Sequence, residues 1–271
     1  MPVNEKAPVL INMELGSGLW LMALRSPSIA RAVEPGQFVH MLVPGMPDHI
    51  LRRPFSVYAV DVDKGLLEIL YQVVGVGTDH MTTLAQGAEC ELIGPIGRGW
   101  QPFEDTSRAL LVGGGVGAAP LFMLAERLVA AGVDVDVVLG ARTRAALSTL
   151  DHYKMLLAGA EGCTRDKPRT ITDDGSSGRK GLCTVLVEEA LAEAAEKEAP
   201  YDYAAVCGPE PLMRAVASLT ATADVPCEVS LEKRMACGVG ACLSCVVETI
   251  HGKRRACVDG PVFMADEVVW A

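Results

Sequence analysis

Apolar side chains fall in short, evenly spaced runs over the first hundred residues and in alternating short and long runs after that. "QFVHMLV" (37–43), "FSVYAVD" (55–61) and "LLEILYQVV" (66–74) are rich in β-branched and aromatic residues. Glycine and proline punctuate them at Pro35-Gly36, Pro44-Gly45 and Gly75-Val76-Gly77. This spacing predicts a small antiparallel β-barrel, with a short helix over 79–85. From about residue 107 the pattern changes. "RALLVGGGVGAAPLFMLAERLVAAG" reads as a buried strand, a glycine turn and a helix, and "DVDVVLGAR" as a second strand. "DHYKMLLAGA" is helical, "RTITDD" extended, and "CTVLVEEALAEAAEKEA" a helix; "YDYAAVCGPEPLMRAVASL" is again strand, turn, helix. Strands alternating with helices predict a parallel sheet covered by helices. A third segment begins near Pro226. The expected class is α/β plus all-β: an antiparallel barrel over 1–104, a parallel-sheet α/β domain over 105–225, and a small C-terminal domain over 226–271.

Composition narrows the function. The net charge of −10 and the lack of a basic stripe argue against nucleic-acid binding. "MPVNEKAPVL" has no basic segment followed by an apolar run, so no signal peptide is expected. The longest uncharged apolar run, between Arg108 and Glu126, is interrupted by three glycines and Pro120 and is too short to span a bilayer. A cytoplasmic location is expected, where thiols stay reduced and clustered cysteines favour metal over disulfides.

Four of the nine cysteines lie within "CGVGACLSCVVETIHGKRRAC". Cys237, Cys242 and Cys245 have the spacing C-x4-C-x2-C, and Cys257 follows after eleven residues. Three ligands in one tight loop and a fourth from a separate strand suit a plant-type [2Fe–2S] cluster. Gly238 and Gly240 allow backbone N–H groups to approach the sulfur atoms. A structural zinc site is the alternative, but zinc usually takes two paired knuckles, and Cys257 has no sequence neighbour. Of the scattered Cys90, Cys163, Cys183, Cys207 and Cys227, all but Cys207 read as ordinary buried thiols.

"RRPFSVY" contains an Arg-x-x-Ser on a barrel strand. Such a guanidinium can pair with a diphosphate, while the hydroxyl can bond a flavin or its ribityl chain. Alone this is a weak pattern, since an arginine before proline on a surface strand is commonplace. Its ordered company is stronger. "GVGT" (75–78) supplies glycines free to adopt positive φ and a threonine suited to cap a helix, and "GPIG" (94–97) follows.

"LLVGGGVGAAP" matches G-x-G-x-x-A from Gly113 to Ala118, a pattern that close strand–helix packing also produces. A Rossmann site would carry an acid at the end of the second strand. Here Asp134 and Asp136 stand at its start, and its end carries Gly140, Arg142 and Arg144. Those arginines leave NAD and NADP both open. "CGPEPLM" (207–213) follows a buried strand, which places Cys207 and Gly208 where ligands of parallel sheets bind. "TDDGSSG" (172–178) is a turn by composition.

With "RPFS", "GVGT", "GPIGRGW", "GGGVGAAP", "TDDGSSG", "CGPEPLM", "SLEKRMACGVGACLSCVV" and "CVDGPVF" in this order, the chain resembles the ferredoxin–NADP reductase-type flavoproteins along essentially its whole length. Within them it is similar to the electron transfer subunits of two-subunit, NAD-linked dihydroorotate dehydrogenases. The resemblance implies an FAD-binding barrel, an NAD-binding α/β domain and a [2Fe–2S] domain. It implies that Arg53, Pro54, Phe55 and Ser56 contact FAD, that Leu70, Tyr71 and Gln72 line it partly through backbone, and that Gly77 and Thr78 hold its phosphates. It implies Gly114, Gly115, Gly117, Cys207 and Gly208 at the NAD site, and Cys237, Cys242, Cys245 and Cys257 as cluster ligands. NAD exchanges hydride, a [2Fe–2S] cluster single electrons, and FAD either, so FAD belongs between them. Such chains position cofactors and need no acid–base side chain. The implied partner is an FMN-containing dihydroorotate dehydrogenase catalytic subunit, in a two-plus-two heterotetramer serving pyrimidine (UMP) biosynthesis. The rival is the small subunit of an NAD(P)H–ferredoxin oxidoreductase or sulfide dehydrogenase-like complex. Some of those chains carry an acid at the first ligand position, where this chain has Cys237.

Overall fold

The computed structural model describes residues 1–270. Its first strands, β1 (Val3–Gly16) and β2 (Leu19–Arg25), form a hairpin, and helix α1 (Pro27–Ala32) follows. Strands β3 (Phe38–Leu42), β4 (Arg53–Asp61) and β5 (Leu66–Gln72), helix α2 (Val76–Met81) and β6 (Glu89–Ile96) complete the N-terminal half. The six strands close into an antiparallel barrel in the order β1-β2-β5-β4-β3-β6. Strand β6 shows the cause in its sequence: Cys90, Leu92, Gly94 and Ile96 are buried and alternate with more exposed residues, the period-two signature of a half-buried strand. Met22, Leu24, Val39, Met41, Val57, Leu67 and Ile69 fill the interior.

The second half runs β7 (Arg108–Gly114), α3 (Ala119–Ala130), β8 (Asp134–Ala141), α4 (Leu150–Ala158), β9 (Arg169–Thr172), β10 (Arg179–Lys180), α5 (Cys183–Glu196), β11 (Tyr203–Cys207), α6 (Glu210–Thr222) and β12 (Cys227–Ser230). The last elements are β13 (Val246–Thr249), β14 (Gly252–Arg255) and β15 (Val262–Met264). A seven-stranded sheet has the order β10-β9-β8-β7-β11-β12-β15. It is parallel except for β15, which runs antiparallel to β12. Its central strands are apolar on both faces, as a doubly covered parallel sheet requires. Leu110, Val112, Val138 and Val206 meet Leu186, Val187 and Ala190 of α5 and Met213 and Val216 of α6. Ala109, Leu111, Val137 and Ala205 face Leu121, Leu124 and Leu128 of α3 and Tyr153 of α4.

Helix α3 also packs on the barrel strand β4. There Phe122 meets Tyr58 with ring centroids 5.0 Å apart. The buried Trp100 donates its indole N–H to the Pro120 carbonyl at 2.8 Å. The segment after Pro226 gives β12 and β15 to the nucleotide sheet. Between them the cysteine loop and the β13–β14 hairpin leave and return, and Leu231 N–H bonds the Pro261 carbonyl at 2.9 Å.

One element differs from the sequence expectation. The helix expected over 79–85 with Thr78 as its cap begins earlier, at Val76, after Gly75. Thr78 sits in its first turn, where its hydroxyl accepts from the Val74 and Gly75 amides at 2.9 and 3.2 Å and donates to the Gly75 carbonyl at 3.0 Å. These bonds fold the chain back three residues sooner. Nor do the glycines take positive φ: Gly75 is extended, at −176°, and Gly77 is helical.

Candidate cofactor sites

The ladder between β4 and β5 stops early. It pairs Asp61 with Leu66 and ends at Val57 and Ile69. Beyond that point Arg53–Ser56 pair only with β3, on the other side, and Leu70–Gln72 only with β2. The barrel therefore splays between 53–56 and 70–72, the two stretches expected to line the flavin. Backbone groups that the ladder does not use border this gap and must find another partner. Leu70 and Tyr71 bury their side chains: Tyr71 donates its hydroxyl to Asn12 at 3.0 Å and meets Phe55 edge-on at 6.1 Å. Their edge on the gap is backbone.

Arg53 stands at the mouth of this gap. Its Nη1 bonds the Leu51 carbonyl at 3.0 Å, and among the described residues it forms no ion pair. The adjacent Arg52 differs, because Glu91 and the Glu91 carbonyl hold its guanidinium at 2.9 and 2.8 Å. The Arg53 guanidinium lies against Gly77, where any side chain would collide with it. Gly77 is thus glycine for close approach rather than for positive φ. Thr78 shapes the turn beside it, with its hydroxyl committed to the turn itself.

The four clustered cysteines are brought together as two pairs. The Val239 and Cys242 amides point at Cys237 Sγ, at 3.5 and 3.4 Å. Cys245 Sγ lies 3.3 Å from Cys257 Sγ. Among the described residues no three His, Cys, Asp or Glu side chains converge as one metal ion would require. Two pairs of thiols suit a binuclear cluster, which would take one pair at each metal. The pairs differ in environment. Ser244 hydrogen-bonds Cys242 Sγ at 3.1 Å, and together with Cys237 it lowers that exposed thiol to about 6. Burial, reinforced by Cys245, raises Cys257 to about 12. Metal binding deprotonates both kinds of thiol.

At the carboxyl ends of the parallel strands, Gly113 pairs with Cys207 and Gly114 with Gly140. A 3₁₀ turn over Gly115–Ala118 caps β7. Gly117 presses on the Cys207–Gly208 backbone, so the glycine turn and the "CGPEP" turn are neighbours. The Cys207 thiol points inward, is fully buried and is raised by that burial; what this turn presents at the sheet edge is backbone. "TDDGSSG" closes beside Arg142 and Arg144. Asp173 and Asp174 N–H bond the Ala141 and Arg142 carbonyls at 3.0 and 3.3 Å, and Arg144 N–H bonds Ser176 Oγ at 2.8 Å. Neither Arg142 nor Arg144 is in an ion pair among the described residues. Asp134 and Asp136, at the opposite strand end, are held by Arg108 and by Arg165 and Arg169.

Sequence reasoning passed over His40, on β3 opposite Pro54. The signal was present: a lone imidazole inside the apolar run "FVHML".

Comparison with known proteins gives a consistent picture. Residues 232–269 match the iron–sulfur cluster binding domain of dihydroorotate dehydrogenase B. Residues 111–218 match the oxidoreductase NAD-binding domain. The chain is 38% identical over 268 residues, covering 97% of each chain, to the electron transfer subunit of dihydroorotate dehydrogenase B (NAD(+)) from Desulforamulus reducens. It is 40% identical, covering 98% of each, to the subunit of the same name from Bacillus caldolyticus. Among solved structures it is similar to one described as an NADH-dependent reduced ferredoxin-NADP oxidoreductase. That match has a TM-score of 0.83 and 30% identity, over 97% of this chain and 90% of that one. No helix among the described residues is long and apolar enough to cross a membrane.

Proposed function

Because the chain belongs to the family of electron transfer subunits of NAD-dependent dihydroorotate dehydrogenase B, we propose that it carries electrons from an FMN-containing catalytic subunit, through a [2Fe–2S] cluster and FAD, to NAD⁺ in pyrimidine synthesis. The observation that carries this reading is the adjacency of two sites. The cysteine loop, paired two by two, lies at Gly238 against His40 of β3, the strand bonded to Arg53–Ser56. One-electron and hydride carriers belong this close together.

The residues fit the cofactors. Arg53, free of any acid, takes the FAD diphosphate, and Gly77 leaves room for it to do so. Pro54, Phe55 and Ser56 on one side of the barrel gap, and the backbone of Leu70, Tyr71 and Gln72 on the other, line the isoalloxazine. Thr78 fixes the turn that presents Gly77. Cys237 with Cys242, and Cys245 with Cys257, hold the two irons. Gly114, Gly115, Gly117 and the Cys207–Gly208 backbone receive NAD at the sheet edge. Bound there, FAD would supply hydride chemistry toward nicotinamide and one-electron chemistry toward the cluster. The protein's own task is to hold these groups in line and keep water out.

Val239, Leu243 and Val258 are exposed around the cysteines, an apolar rim suited to a partner subunit. On this reading the enzyme is a cytoplasmic two-plus-two heterotetramer, with the barrel over 1–104, the nucleotide segment over 105–225 and the cluster segment over 226–271, the last lending β12 and β15 to the nucleotide sheet. The curated relatives favour it over a ferredoxin oxidoreductase or sulfide dehydrogenase-like small subunit. The test is the visible spectrum of the anaerobically purified chain, with iron, zinc and flavin quantified, followed by dihydroorotate-dependent NAD⁺ reduction with the catalytic subunit. Flavin bands with iron in binuclear ratio support the proposal. A colourless, zinc-loaded chain overturns it.

A further inference from the structure

His40 is fully enclosed, and no hydrogen bond of good geometry reaches either ring nitrogen; only the backbones of Arg52 and Cys237 approach them. A polar group left unmet inside a protein is destabilising, and an apolar ring would fill the same space without that cost. The surroundings of His40 indicate what the nitrogens are for. On one side stands the backbone of Arg52, at the entry to the flavin strand; on the other stands the backbone of Cys237, the first cysteine of the cluster loop. The guanidinium of Arg52, whose charge acts on the ring, is already occupied by Glu91. Nδ1 looks directly at Gly238, where a methyl group would come within 2.6 Å of it. Gly238 has φ +68°, a conformation glycine accepts freely. The loop is therefore shaped to let its backbone rest on the imidazole.

We propose that His40 is a positioning residue: its Nδ1 edge supplies the hydrogen bond that seats the cluster loop, at Cys237–Gly238, on the strand pair that carries the flavin contacts. This rests on the function proposed above. Neutral imidazole offers one donor and one acceptor, so it can bond the loop backbone whichever group the closed loop turns inward. Backbone orientation around a cluster sets the field at its sulfur atoms and hence its potential. Seating the loop thus fixes both the distance between the two redox centres and the potential of one of them.

The test compares the anaerobically purified full chain with His40→Phe and His40→Asn. Phenylalanine keeps a ring without nitrogen. Asparagine places an amide near the Nδ1 position without the ring. Four readouts are taken: iron and FAD content, the EPR spectrum of the reduced cluster, the midpoint potentials of cluster and flavin, and the rate of iron release to a chelator. In His40→Phe the cluster potential should shift and the EPR spectrum change, while the flavin potential stays in place. Iron release should accelerate about tenfold, the factor corresponding to one lost hydrogen bond of about 1.4 kcal/mol. His40→Asn should recover most of each change. A His40→Phe chain with unaltered potential, spectrum and iron release overturns the proposal, because the ring then only fills space. If His40→Phe loads no cluster, His40→Asn decides: a retained cluster supports the hydrogen bond, and loss from both variants overturns it. A wild-type chain without iron overturns the functional reading and this proposal together. A loaded wild type with an unmoved His40→Phe overturns this one alone.

Discussion

A methyl group at Gly77 would overlap Nε of Arg53. The two residues share a space that only hydrogen leaves open, although one begins a barrel strand and the other lies in a six-residue helix. Gly77→Ala must displace the guanidinium. If Arg53 binds the FAD diphosphate, this variant should purify with little flavin while its circular dichroism stays that of the wild type. Arg53→Ala should weaken FAD binding by about 10–150-fold, the range expected for a charge-assisted hydrogen bond of about 1.5–3 kcal/mol. Fluorescence titration of the apoprotein with FAD measures both, and unchanged affinity in either variant counts against the site.

The cysteine pairs should behave as pairs. Cys242→Ser and Cys257→Ser remove one ligand from different pairs, and each should strip the cluster absorbance and iron while leaving flavin bound. Ser244→Ala acts more gently, because it removes the bond that holds Cys242 toward thiolate. It should retain iron and lose it faster to a chelator. Iron content and the visible spectrum decide. A full iron complement in Cys257→Ser would remove that residue from the ligand set.

An ion-pair network stiffens the far end of the nucleotide sheet and gives a pH signature. Arg169 reaches Glu193 at 3.0 and 2.8 Å and Arg165 reaches it at 2.8 Å, while both arginines also hold the buried Asp136. The Arg169 hydrogen bond leads in lowering Glu193 to about 2. A carboxyl lowered on folding binds its proton more weakly in the native state. Its contribution to stability is therefore present above the unfolded value, about 4.3, and is lost as pH falls toward about 2. Denaturation of wild type and Glu193→Gln across this range should show a gap at neutral pH that closes in acid. A gap independent of pH would assign the effect to packing.

Trp100 ties the end of the barrel to the start of α3. Trp100→Phe removes this buried hydrogen bond, while the Pro120 carbonyl keeps its place in the first turn of α3, and should cost about 0.5–1.5 kcal/mol. At about 2–4 °C per kcal/mol for a chain of this size, the melting temperature of the FAD-loaded protein should fall accordingly. Calorimetry checks it, and an unchanged melting temperature would mean that water replaces the indole.

Much of this could be read from the chain because it is local. The spacing from Cys237 to Cys245 is a property of one loop, and "RPFS" of one strand, so both announce themselves in sequence. The glycines after β7 and the turn after β11 are equally local. What could not be read is pairing at a distance. The hairpin β1–β2 hides behind Glu5, Lys6 and Pro8, which blur its alternation. The gap between β4 and β5 depends on where a ladder stops, and no residue type marks that point. Thr78 looked like a cap because threonine favours that place, and only its bonds to Gly75 show the turn closing sooner. The unmet nitrogens of His40 need the cluster loop in place before they can be noticed.

The strands on either side of the cysteine loop, β12 and β15, are neighbours in the nucleotide sheet. The proposed iron ligands are therefore passengers of the nucleotide half and the proposed flavin contacts fixtures of the barrel. The interval an electron would cross belongs to neither and is the width of the seam between them, with Trp100 on Pro120 at one point and His40 on Gly238 at another. A partner or nucleotide that tilts one half against the other would act on conduction directly, as a hand on a tap, without touching iron or flavin.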